Sequence, residues 1–304
     1  MATATSSRYR YLDPGTLSQV QNLGLAARTA VEGFYAGLHK SPHKGFSVEF
    51  AEHREYTPGI DPKHIDWRVF GRRDKLYVKQ YEEETSLRCH VVLDKSASMG
   101  YRLDGALTKL EYGSYLAACL AWLMAMQHDT VGLMTCDDQL RDQVPPRQGA
   151  GHLKILMELL EQTEPGNQTN LGEVLHRLAE TVKRRSLIVV ISDLLDDPDQ
   201  VVAGLKHFRH SRHDVIVFHV LDPAELTFPF DDISRIEDME TGRELTGDPQ
   251  AFRNAWMEEL EKFLDTIRRG CRSSQIDYVL ARTDSPLDRF LGTYLARRSR
   301  AMKK

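Results

Sequence analysis

From residue 86 onward, apolar runs of strand length alternate with longer stretches of helical period, and this leaves few architectures open. The most restrictive run is Leu187-Ile188-Val189-Val190-Ile191, which no polar residue interrupts. A strand with one wet face alternates apolar and polar residues, so a run that is apolar on both faces belongs inside a mainly parallel sheet covered on both sides. Further strands are predicted over 88–94, 130–136, 214–221 and 277–281, with shorter ones over 139–143 and 233–238. Helical periods fall at 109–127, 152–162, 171–183, 201–210, 249–271 and 287–297. The fold class expected is α/β, a mainly parallel central sheet with helices on both faces.

Residues 1–85 read differently, as an N-terminal extension packed on a main domain of residues 86–304. A helix is predicted over 15–39, and Phe46 to Glu84 is rich in charge and aromatics, with turns at Pro58-Gly59 and Asp61-Pro62. In that block Arg54, Arg68, Arg72 and Arg73 face a supply of acids in Asp61, Asp66 and Glu82 to Glu84, while Tyr56, Trp67, Phe70 and Tyr81 are expected to supply buried area. Such a block suits a charge-satisfied structural cap, a partner-binding surface, or both. A net charge of −4 gives no general attraction to nucleic acid or acidic lipid. Cys89, Cys119, Cys136 and Cys271 form no Cys-x-x-Cys pair, which favours reduced thiols over disulfides or zinc. The amino terminus has no apolar signal-like core, and the apolar stretch Tyr115–Met126 is about two thirds of a membrane span. A buried core helix and a cytoplasmic chain are the expectations.

The chemistry gathers where strand 88–94 ends. Val91-Val92-Leu93-Asp94-Lys95-Ser96-Ala97-Ser98 delivers Asp94, Ser96 and Ser98 to one loop at a strand's carboxyl end, where open α/β sheets bind ligands. Oxygen-only donors suit a hard divalent cation such as Mg²⁺. Two later positions complete the set: Thr169, in the turn-rich Gly166-Asn167-Gln168-Thr169 loop, and Asp193, which follows the central strand and lies beside Asp94 if the two strands are neighbours. Two carboxylates and three hydroxyls leave a coordination position for an incoming carboxylate. The triad alone also fits a helix N-cap and turn cluster.

This arrangement resembles the metal-ion-dependent adhesion site of von Willebrand factor A domains, with Asp94, Ser96, Ser98, Thr169 and Asp193 at the matching positions. The resemblance implies a Rossmann-type sheet, Mg²⁺ or another hard cation such as Mn²⁺ or Ca²⁺, and an acidic side chain from a partner in the open position. One departure is Leu194-Leu195-Asp196-Asp197, where that family often has a glycine. A second resemblance rests on Gly45-Phe46-Ser47-Val48-Glu49-Phe50 and on the block from Arg54 through Pro58-Gly59, Ile65-Asp66-Trp67-Arg68 and Tyr77 to Glu84, with Leu221-Asp222-Pro223-Ala224-Glu225 downstream. These look like the signature of the bacterial domain-of-unknown-function family 58, whose members carry a von Willebrand factor A-like domain. That implies a non-enzymatic interaction module working with a MoxR-type AAA+ ATPase in assembly or maturation of other complexes.

Other signals are weaker. Gly149-Ala150-Gly151 lacks the remainder of a phosphate-binding motif and reads as a loop hinge. His207, His210 and His213, interleaved with Arg209 and Arg212, read as a solvated helix end rather than a zinc site. The basic tail from Arg297 has no interleaved aromatics and does not point to nucleic acid. The enzymatic alternative is a haloacid-dehalogenase-like phosphatase with Asp94 as nucleophile. That chemistry needs a second Asp two positions later, where this chain has Ser96, a poor proton donor or acceptor.

Overall fold

The structure is a computed structural model that describes residues 10–11, 48–56, 67–73, 76–83, 87–103, 106–230, 235–237, 244–246 and 248–302. In chain order its elements are β1 (Val48–Glu55), α1 (Trp67–Arg73), β2 (Tyr77–Glu83), β3 (Arg88–Asp94), α2 (Lys109–Met126), β4 (Thr130–Cys136), β5 (Leu140–Arg147), α3 (Ala150–Gln162) and α4 (Leu171–Thr181). They continue with β6 (Leu187–Ser192), α5 (Pro198–His210), β7 (Asp214–Leu221), α6 (Pro223–Thr227), β8 (Arg235–Glu237), β9 (Glu244–Thr246), α7 (Pro249–Ser273), β10 (Asp277–Arg282) and α8 (Leu287–Met302).

Six strands form the main sheet in the order β10-β7-β6-β3-β4-β5, parallel throughout except for the β4–β5 pair. The expected fold class is therefore the one found. β6, the uninterrupted apolar run, is buried along its whole length. One face packs Val92, Ile188, Val190, Val215 and Val217 against α4, α5 and α7 through Leu175, Leu178, Leu205, Phe208 and Ile267. Each such side chain, fully buried, contributes roughly 1.5–3 kcal/mol. On the opposite face α2 lies against Leu93 and Ile191, close enough that a Cβ on Gly113 would come within 3.1 Å of both. There too α8 brings Phe290 and Tyr294 to the Phe218 ring, with centroids 5.7 and 5.1 Å away.

The antiparallel edge strand β5 runs past the predicted 139–143 to Arg147. Pro145 and Pro146 conceal it from a propensity reading, yet proline is tolerated at an edge and discourages further strand pairing. The β4–β5 ladder shifts register between Val131 and Leu133, and a Cβ on Gly132 would lie 2.6 Å from the Val144 carbonyl oxygen and 2.8 Å from the Pro146 nitrogen. Because both obstacles are backbone, Gly132→Ala is expected to lower unfolding free energy by ~2 kcal/mol in urea titrations. An unchanged midpoint would contradict this close approach.

Contacts divide the chain into two units, Tyr35–Ser86 and the remainder. In the first, β1 and β2 pair antiparallel from Val48 opposite Glu83 to Glu55 opposite Tyr77, with an irregularity between Phe50 and Glu52. Trp67 and Phe70 stack edge to face but are 63% and 36% exposed, so they do not supply the buried area expected of them. The helix predicted over 15–39 lies outside the described residues, as do the Asp61 and Asp66 partners proposed for the arginine cluster.

All four cysteines are free and buried. Among the described residues no helix is long and apolar enough to cross a membrane, and the apolar stretch within α2 is core. Gly149 is the N-cap of α3 at φ 104°, a backbone conformation that favours glycine. One reading is corrected. His213 is not solvated but fully buried, its Nδ1 accepting from the Ser186 N–H at 3.2 Å and its Nε2 lying 2.9 Å from the Val182 carbonyl. Arg212 just before it adopts φ 63°, turning the chain inward where a continued helix end would have stayed in solvent.

Candidate metal centre

β3 and β6 are adjacent and parallel, with Leu93 opposite Ile191, so their carboxyl ends open side by side. The geometric condition on Asp193 is thus met. Asp94 closes β3 and Asp193 follows β6, and each is only 1% exposed. Asp94 Oδ1 accepts from the Ser96 N–H at 2.8 Å, and its Oδ2 accepts from the Ser192 hydroxyl at 2.5 Å. Ser96 and Ser98 are buried with their Oγ atoms 3.1 Å apart, at the start of a short 3-10 turn over Ala97–Gly100.

The loop carrying Thr169 is tied to this one by backbone. Ala97 N–H donates to the Asn167 carbonyl at 2.8 Å, and Gly166 N–H donates to the Lys95 carbonyl at 2.5 Å. A Cβ at 166 would fall 2.5 Å from Asp137 Oδ2, so any side chain there would have to displace that carboxylate. Asp137 in turn accepts from Arg141 Nε at 2.7 Å and from the Asn167 N–H at 3.4 Å, fixing the approach of the two loops. Thr169 sits half-buried two residues beyond Asn167.

Lys109, Glu225 and Ser192, none of them among the candidate ligands, shape the electrostatics. Lys109, the first residue of α2, is fully buried, and its Nζ donates to Asp193 Oδ2 at 2.7 Å and to Glu225 Oε1 at 2.6 Å. Burial opposes its charge, but the two carboxylates outweigh that and hold it above the ordinary lysine value. Ser192 bonds Asp94 and accepts from the Leu194 N–H at 2.8 Å. No local pattern marks Lys109, because its partners lie 84 and 116 residues away in the chain.

Among the described residues no cation pairs with Asp94. Burial, and then the nearby Asp193 carboxylate, push it up to about 7, against the hydrogen bonds from Ser192 and Ser96. Two buried carboxylates beside two facing hydroxyls thus leave a local deficit of positive charge surrounded by hard oxygen donors, which fits a divalent cation. Among the described residues no three or more His, Cys, Asp or Glu side chains are grouped to hold a metal, so a cation here would need hydroxyl donors as well as the carboxylates.

The sequence model of the family described as "Protein of unknown function DUF58" matches residues 52–263. The chain belongs to this family. Among curated relatives of this DUF58 chain, the uncharacterized proteins Rv1480 of Mycobacterium tuberculosis and Mb1516 of Mycobacterium bovis are each 26% identical over 277 residues, 90% of this chain and 86% of theirs. Solved structures similar to this DUF58 chain include BatB from Bacteroides thetaiotaomicron, 18% identical over 72% of this chain and 99% of that one, with a TM-score of 0.49. The von Willebrand factor A domain of SpRpn10 is 14% identical over 68% and 94%, with a TM-score of 0.38.

Proposed function

We propose that this DUF58 protein is a non-enzymatic interaction module that docks a partner's carboxylate at a divalent cation held by Asp94, Ser96, Ser98, Thr169 and Asp193. The observation that carries the reading is the pairing of β3 with β6, which sets two buried carboxylates beside two facing serine hydroxyls. Asp94 and Asp193 would supply charge, and the hydroxyls of Ser96, Ser98 and Thr169 would orient the ion. Mg²⁺ suits this donor set, with Mn²⁺ and Ca²⁺ as further hard cations. When bound, such a cation offers an open coordination position to an incoming carboxylate oxygen. The resemblance of the block from Arg54 to Glu84 supports a MoxR-type AAA+ ATPase as partner, with assembly or maturation of other complexes as the outcome.

Asp94→Ala removes one carboxylate without opening the apolar layers. Wild-type protein is expected to bind Mg²⁺ in a calorimetric titration and to recover an ATPase from native cytosol only when Mg²⁺ is present. The variant should lose both properties while keeping its circular-dichroism spectrum. Equal Mg²⁺ affinity in Asp94→Ala would sink the site assignment, and recovery of the ATPase without Mg²⁺ would sink the docking mechanism.

A further inference from the structure

Lys109 is buried at the edge of the candidate metal centre with its ammonium bonded to one proposed ligand, Asp193, and to Glu225, which is not one. It is not free to leave. Glu225 Oε2 accepts from the Asp222 N–H at 2.8 Å in the capping box of α6, and the Glu225 carbonyl accepts from Trp256 Nε1 at 2.7 Å. The Tyr101 ring lies 5.8 Å from the ammonium and closes another side. Lys109 is thus a fixed positive charge placed where the proposed cation would add more.

Its consequence follows from counting formal charge. Asp94, Asp193 and Glu225 together carry three negative charges, and Lys109 reduces that to two. A divalent cation then brings the centre to neutrality, whereas without Lys109 the loaded centre would stay negative and repel a carboxylate. Resting on the metal-site reading above, we infer that Lys109 is a positioning residue that weakens cation binding in exchange for a loaded centre able to accept an anionic partner group.

The two effects have opposite signs, which a merely structural lysine would not produce. Mn²⁺ affinity is measured by calorimetry, and acetate binding to Mn²⁺-saturated protein by broadening of the acetate NMR line, both in one buffer at one mildly alkaline pH. Lys109→Gln should bind Mn²⁺ about tenfold tighter and acetate about tenfold more weakly. Glu225→Gln, which keeps the lysine, should shift both constants the other way. The double variant Lys109→Gln/Glu225→Gln restores the wild-type charge count and should return both to near wild type. If both constants weaken in Lys109→Gln and stay weak in the double variant, the lysine is structural and the inference is overturned. Mn²⁺ binding by wild type with no change in any variant overturns the inference but leaves the metal site standing. Absence of Mn²⁺ binding by wild type overturns both.

Discussion

Lys109→Met is expected to lower the unfolding free energy of the metal-free protein by about 3–5 kcal/mol at neutral pH, because it strands the carboxylates of Asp193 and Glu225 in the interior. The Asp193 side chain is 1% exposed and that of Glu225 11%, so water cannot replace the ammonium. The value of the bridge lies mainly in this penalty. Removing lysine and both carboxylates together, as Lys109→Met/Asp193→Asn/Glu225→Gln, should therefore recover most of the loss. Urea denaturation of the single and triple variants reads this directly. A single-variant loss below about 1 kcal/mol would class the bridge with exposed surface pairs. The exposed Arg177–Glu173 and Lys262–Glu258 pairs provide internal examples whose removal should be hardly measurable.

Asp94→Asn should do the opposite and stabilise the metal-free protein, on the order of 3 kcal/mol above pH 7. The native carboxyl is held at about 7, above its ordinary value of 3.8. A raised acid means that the fold prefers the protonated form. That preference is fully present below the unfolded value and is lost as pH rises through the folded one. Wild type and Asp94→Asn should thus melt alike below the ordinary carboxyl value of 3.8, separate progressively between there and about 7, and keep a constant gap above it. Asparagine can still accept from the Ser96 N–H and meet the Ser192 hydroxyl with its amide, so geometry is conserved. Saturating Mg²⁺ should reverse the order, raising the melting temperature of wild type more than that of the variant. A pH-independent gap between the two proteins would show that Asp94 is not the group responsible.

The sheet was legible because burial on both faces writes itself as unbroken apolar sequence, and β3, β4 and β7 begin and end where their runs do. Less legible were elements whose stability comes from elsewhere. β5 carries two prolines and survives on its pairing with β4, while β9 is three residues held by β8. At the candidate site the ligating residue types were visible, but strand order was not, and only the β3–β6 pairing sets Asp94 beside Asp193. Lys109 escaped notice because its partners lie 84 and 116 residues away, beyond any local pattern. His213 failed for the converse reason: a cationic neighbourhood in sequence became an interior position once the chain reversed at Arg212.

Leu194 follows Asp193 at φ 56°, a conformation that suits glycine, yet its side chain is fully buried in the layer of α4 and α5. A left-handed leucine holds on the order of 1–3 kcal/mol of backbone strain, sustained only where surrounding structure over-determines the turn. Here the apolar anchor and the Ser192 hydroxyl grip it from two sides. A glycine in its place would be a hinge; this leucine is a bolt. The carboxylate of Asp193 is held at one station before anything arrives, so little ordering entropy remains for a ligand to oppose, and the approach must be made by the visitor.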